Sequence, residues 1–209
     1  MNTQQYSAPS ILASLRQLAP ERTLTQFEAL KTAELQAAEF RRLIGLQGGP
    51  LTEAVVAALP RISIQRRTMP TSGLSYWDGD NWIIALNRAE PLARQRFTLM
   101  HEYKHIIDHG AAEHLYLGTR SRTANEQAEQ AADYFAGCVL MPKSLLKKVW
   151  GNGVQTLSAL AAHFEVSTRA IEVRLAQVGL GDPVERCGSP QLATPRAPRP
   201  SGYTQRWVA

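Results

Sequence analysis

The chain has 209 residues, 44% hydrophobic and 20% charged, which suits one well-buried soluble domain with a small appendage. No apolar run is long enough to span a bilayer, and residues 1–10 lack the basic cluster and apolar stretch of a secretory signal, so the expected compartment is the cytoplasm. The net charge of +5 sits mostly in residues 183–209, where Arg186, Arg196, Arg199 and Arg206 stand against Glu185. The rest of the chain therefore lacks the concentrated basic excess of a nucleic-acid binder. Two cysteines make no disulfide framework; Cys138 reads as a small core residue and Cys187 as a free surface thiol.

Residues 11–19 and 25–45 read as helices, from Leu12, Leu15 and Leu18 and from Phe27, Leu30, Ala33 and Ala37 at helical spacing. Thr25 with Glu28 forms a capping box for the second. Gly45, Gly48, Gly49 and Pro50 break the chain before a short helix over 52–59. After Pro60 the pattern changes: Ile62 and Ile64, then Leu74 and Tyr76, then Trp82 to Leu86 give strand-like runs. Asp78-Gly79 marks a hairpin between the last two, and a small antiparallel sheet is expected over about 61–87. A helix follows over 92–109, with Pro91 at its start and Gly110 at its end. Further helices are expected over 124–140, 143–149, 156–163 and 167–177. Beyond Gly181 a tail with five prolines reads as disordered.

The helix over 92–109 carries His101-Glu102-Tyr103-Lys104-His105. Residues four apart differ by only about 40° in azimuth, so both imidazoles point the same way and can share one tetrahedral zinc ion. Glu102 lies about 100° from His101, beside the ion, where a general base takes a proton from water. The extended pattern with a Gly and a third His fails, because positions 108 and 111 are Asp and Ala. His109 is one turn beyond His105, but three side chains along one straight helix do not converge on one ion, so it reads as a supporting or packing histidine.

A catalytic zinc site needs a third protein ligand. The next helix offers Glu126, Glu129 and Asp133. Thr123 and Glu126 form a capping box, which gives Glu126 a structural task. Glu129 shares its face with Ala132 and Ala136, small residues that allow close approach to the metal helix, and a carboxylate there needs a partner. Glu129 fits best, with Glu126 and Asp133 as alternatives.

These residues resemble the ImmA/IrrE family of zinc metallo-endopeptidases. The matching segments are Arg96 to His105, Glu129 to Ala136, Leu140-Met141-Pro142, and Leu160 to Ser167 with Arg174-Leu175. The resemblance covers roughly residues 60–180 and implies that the glutamate before the Phe-Ala segment, here Glu129, is the third ligand. The family usually has Asn at the position of Asp133; an Asp so near the metal either orients a ligand histidine or competes as a ligand. It also implies proteolytic removal of a transcriptional repressor, often in mobile elements or stress responses.

Residues 156–180 look like a helix-turn-helix, with Val166-Ser167-Thr168 at the turn. Arg169 and Arg174 are balanced by Glu165 and Glu172, which makes a poor DNA reader and favours a packing role. The strand from Trp82 to Leu86 is either an edge that holds substrate as an added strand or an ordinary buried strand. No oxyanion-stabilising side chain is identifiable, with Tyr103 and Tyr134 only as candidates.

The reading is an α+β zincin-like peptidase domain over 60–181, a helical N-terminal extension over 1–59 and a disordered Pro-rich tail over 182–209. Zn2+ is held by His101, His105 and Glu129, and Glu102 is the acid–base group. The expected partner is a protein substrate, with no membrane and no nucleic acid. The alternative is a DNA-binding or protein-interaction regulator with a structural or vestigial zinc site.

Overall fold

Two capping boxes fix the helices that frame the molecule. Thr25 and Glu28 start one, Thr123 and Glu126 the other, each with the threonine hydroxyl accepting from the glutamate N–H and the glutamate carboxylate accepting in return. The computed structural model describes residues 10–181. The expectations of a disordered tail over 182–209 and of a surface thiol at Cys187 lie outside the described residues. The elements are α1 (Ile11–Arg16), α2 (Gln26–Leu43), α3 (Glu53–Ala57), β1 (Ile62–Arg67), β2 (Gly73–Trp77), β3 (Trp82–Asn87), α4 (Leu92–Asp108), α5 (Ala112–Leu115), α6 (Ala124–Leu140), α7 (Lys143–Gly151), α8 (Leu157–Phe164) and α9 (Thr168–Val178). The architecture is mixed α+β, and no described helix is long and apolar enough to cross a membrane.

The sheet corrects one expectation. It is not purely antiparallel: its order is β1-β3-β2, with β3 antiparallel to β2 but parallel to β1. The Asp78-Gly79 hairpin does join β2 and β3, and Asp78 Oδ1 accepts from the Asp80 and Asn81 N–H groups. The link over 68–72, however, carries the chain past a vacant strand position that β3 then fills. Neighbouring strands lie about 4.8 Å apart, so five residues cross that double gap easily. The sequence patterns of β1 and β2 are the same whether or not the two strands pair. A second consequence concerns substrate docking: β3 is the central strand, its Ile83 to Leu86 buried, so it offers no edge. The free edge nearest α4 belongs to β2.

The core is shared by the N-terminal helices and α4. Leu15, Phe40, Tyr103, Ile106, Phe135 and Leu140 belong to one buried cluster, and the Phe40 and Tyr103 rings lie 5.3 Å apart. Cys138 is buried there as a small apolar residue.

Three arginines act at helix C-termini, where unsatisfied carbonyls and the negative end of the helix dipole favour a cation. Arg16 donates to the Ile106 and Ile107 carbonyls at 2.8 and 3.1 Å, at the end of α4. Buried Arg41 donates to Val139 O at 3.0 Å and buried Arg174 to Met141 O at 2.9 Å, both at the end of α6. Arg96 ties the first half of α4 to the α8–α9 turn through the Glu165 carbonyl and carboxylate. Within α4, Lys104 pairs with Asp108, which also accepts from the Tyr116 hydroxyl at 2.7 Å; all three are buried.

Candidate metal centre

Helices α4 and α6 pack side by side, and Ala132 and Ala136 are fully buried on α6. The small side chains bring the two backbones close, and three potential metal donors meet between them. His101 Nε2 and His105 Nε2 are 3.1 Å apart. Glu129 sets one carboxylate oxygen 3.3 Å from His101 Nε2 and the other 3.4 Å from His105 Nε2. His101, His105 and Glu129 are thus a group able to hold one ion.

The spacing tests the fit. A tetrahedral zinc ion with bonds of about 2.0–2.1 Å sets its donors about 3.3–3.4 Å apart. The two imidazole nitrogens and the nearer Glu129 oxygen to each lie close to that edge length, the oxygens being different ones. With one donor atom per residue, all three fall within 4.8 Å of one another. The chemistry fits as well: two imidazoles and a carboxylate, with a fourth position open to a cleft of about 640 Å³.

Electrostatics hold the donors in place. His101 Nδ1 lies 2.9 Å from Asp133 Oδ1, so Nδ1–H donates to the carboxylate and Nε2 is turned toward Glu129 and His105. Burial opposes charge on the His101 ring, but the hydrogen bonds to Asp133 and Glu129 outweigh it and raise the ring to about 9. Without metal, protonated His101 can therefore donate from both nitrogens. Hydrogen bonds from His101 and His105 hold the Glu129 carboxyl well below the usual carboxylate range. Asp133 thus meets His101 on the ring nitrogen turned away from Glu129 and His105.

Glu102 is buried at the cleft wall beside the donors. Ser75 Oγ of β2 donates to Glu102 Oε2 at 2.8 Å, which leaves Oε1 to face other partners. This contact requires β2 to lie close over α4, and Gly73 permits it. A Cβ there would sit 2.5 Å from Thr98 Cγ2, 3.1 Å from Ala85 O and 3.4 Å from Glu102 Cγ. Sequence reasoning missed Ser75 and Gly73. A serine alternating along a strand carries no signal by itself, while a glycine inside a strand pattern does hint at close backbone approach.

The other candidates separate cleanly. Glu126 accepts from the Thr123 N–H at 2.7 Å and does not line the cleft. His109 lies outside the cleft and packs edge-on against Trp82, ring centroids 4.7 Å apart. Tyr103 packs on Phe40, Tyr134 lies under the Arg174 guanidinium, and neither lines the cleft.

The α8–α9 pair also has its charges committed. Buried Arg174 holds Met141 O and Gln177, and Arg169 contacts Glu172. Neither guanidinium forms part of an unopposed basic face.

Comparisons with known proteins identify the family and the fold. The Peptidase_M78 family profile, described as the IrrE N-terminal-like domain, matches residues 62–176, from β1 into α9. No curated protein sequence matches the chain. Among solved structures, a Mycobacterium tuberculosis transcriptional regulator superposes on 80% of this chain with a TM-score of 0.53 and 15% identity. The match spans 52% of that regulator's length, and at this identity the likeness is one of fold.

Proposed function

Because this chain belongs to the ImmA/IrrE family, carrying its IrrE N-terminal-like domain over residues 62–176, we propose that it is a zinc-dependent endopeptidase. Its substrate class would be a protein, a transcriptional repressor in the cytoplasm. The observation that carries this reading is the convergence of His101, His105 and Glu129 at 3.1–3.4 Å, with Glu102 beside them on the cleft wall.

The proposed ligands are His101 and His105 from α4 and Glu129 from α6. Bound there, zinc supplies Lewis acidity that polarises a carbonyl and makes water more acidic. Glu102 is the proposed general base: it accepts the proton of the attacking water and delivers it to the departing amine. Ser75, by holding Oε2, turns Oε1 toward that proton. Asp133 keeps His101 in the tautomer whose Nε2 faces the ion. The edge of β2, whose Gly73 to Ser75 line the cleft, is the surface on which an extended substrate segment would add as a further strand.

The test uses the purified full-length chain and the repressor encoded beside its gene. Discrete fragments should form with zinc-loaded protein, disappear with chelator and return when zinc is restored. An intact repressor under all three conditions, with zinc stoichiometrically bound, would refute the peptidase reading and favour an interaction protein.

A further inference from the structure

A second cavity, of about 560 Å³, lies between the start of α1, the α3–β1 turn, the β2–β3 hairpin and α4. None of its lining residues borders the metal cleft. We propose that this cavity binds a small aromatic carboxylate, a planar ring system bearing one anionic group. The proposal stands apart from the peptidase reading and does not need it.

Aromatic rings form one wall. Trp77 and Trp82 face each other in register across β2 and β3, with ring centroids 5.5 Å apart. Trp82 in turn meets His109 edge-on at 4.7 Å. All three line the cavity, and such a wall takes a flat ring by offset or edge-to-face contact. The polar groups around it call for an anion. Tyr103 is only 1% exposed, yet its hydroxyl has no hydrogen-bond partner among the described residues. A buried donor left unpaired is unfavourable, and because Tyr103 lines the cavity an acceptor seated there would satisfy it. Two cations share the same space. Arg16 commits Nε and Nη2 to the Ile107 and Ile106 carbonyls, which leaves Nη1 to donate elsewhere. The Arg61 guanidinium has no hydrogen bond or ion pair among the described residues. Arg61 also stands in the left-handed backbone region, φ 58°, which residues with a side chain seldom adopt. Its carbonyl accepts the Trp82 N–H at 2.8 Å, so the strained turn ties this cation to the aromatic wall. No Asp or Glu lines the cavity, so nothing there would receive the ammonium group of an amino acid. The volume falls within the range of about 300–1,000 Å³ of small-molecule sites and accommodates two fused rings with a short acid arm.

Calorimetric titration of zinc-loaded full-length protein with indole-3-acetate tests the site, with indole-3-acetamide as its uncharged counterpart. Indole-3-acetate should saturate one site per chain. The acetamide should bind about tenfold or more weakly, the scale of losing charge-assisted hydrogen bonds. Arg61→Gln and Tyr103→Phe should each weaken indole-3-acetate by about tenfold. Trp77→Ala should weaken both probes by about tenfold, because it removes ring contact common to them. Trp77 and Arg61 are exposed and Tyr103→Phe keeps the buried ring, so each variant should fold and keep its zinc. No saturable binding by the wild type, or equal binding of the two probes, would overturn the site. So would binding that survives both Trp77→Ala and Arg61→Gln unchanged, the result expected of a carboxylate seated on the metal instead.

Discussion

Replacing Asp133 with alanine should change zinc affinity by an amount that depends on pH in a definite direction. Two effects oppose one another. The carboxylate 2.9 Å from His101 Nδ1 fixes the ring's tautomer and angle, and losing such a partner costs about 10–100-fold in metal affinity. The same carboxylate helps raise metal-free His101 to about 9, so at pH 7 zinc must first displace a proton from the ring. That displacement spans about two pH units, or about 3 kcal/mol, and removing Asp133 relieves part of it. The His101 proton is present below pH 9 and is lost as pH rises through it. Above pH 9 only the orienting effect remains, and wild type should exceed Asp133→Ala by the full 10–100-fold. As pH falls from 9.5 to 6.5 the gap should narrow, because the wild type carries the larger proton penalty. Competition against a chromophoric chelator across that range, on full-length protein, measures both affinities. A gap that stays constant, or widens toward low pH, would refute the assignment of His101 Nδ1–H to Asp133.

His101→Ala and His105→Ala should each lose most bound zinc, and Glu129→Ala should weaken it strongly, whereas Glu126→Ala should cost about 1 kcal/mol of stability or less and leave zinc in place. Metal analysis and denaturant unfolding of each variant read these outcomes. Glu102→Gln should fold, retain zinc and lose at least about a hundredfold in single-turnover cleavage of the repressor; wild-type rates in a zinc-loaded sample would sink the mechanism. Gly73→Val forces a side chain onto Thr98 Cγ2 and Ala85 O and should lower unfolding free energy by about 1–3 kcal/mol. Lys104→Met leaves buried Asp108 without its cation and should cost about 3–5 kcal/mol, yet zinc stoichiometry in the folded fraction should hold, since Lys104 does not line the metal cleft.

What could be read in advance follows the range of the interaction. Helix α4 was legible because an apolar pattern of helical period runs between Pro91 and Gly110, with His101 and His105 at i and i+4 inside it. Capping boxes at Thr25 and Thr123 were legible because three residues suffice to define them. The meeting of Glu129 with the two histidines could be argued from Ala132 and Ala136, since small residues on one face permit helix approach. The parallel pairing of β1 with β3 was not legible, because strand pattern records burial and not partners. Helix α5 has four residues, too few to show a period. Ser75 and Arg16 act across 27 and about 90 residues, and as types they read as a surface hydroxyl and a surface charge. Buried Arg41 and Arg174 mislead in the same way, because arginine is seldom buried unless carbonyls or carboxylates receive it.

The arginines at the ends of α4 and α6 bear on when the site comes into being during synthesis. Arg16 grips carbonyls 90 and 91 positions later, and Arg41 one 98 positions later. Contacts of such separation form late, after the loop they close has been ordered. As the chain leaves the ribosome, the first helices emerge as a splint without a limb to hold. Helix α4 then arrives with its histidines but without Glu129, which lies 24 residues beyond His105 in the sequence. Only when α6 has emerged to Leu140 and both helix ends are gripped do the three donors share one position. The nascent protein thus passes through a stretch of synthesis, from His105 to Leu140, with the two histidines made but not yet joined by Glu129.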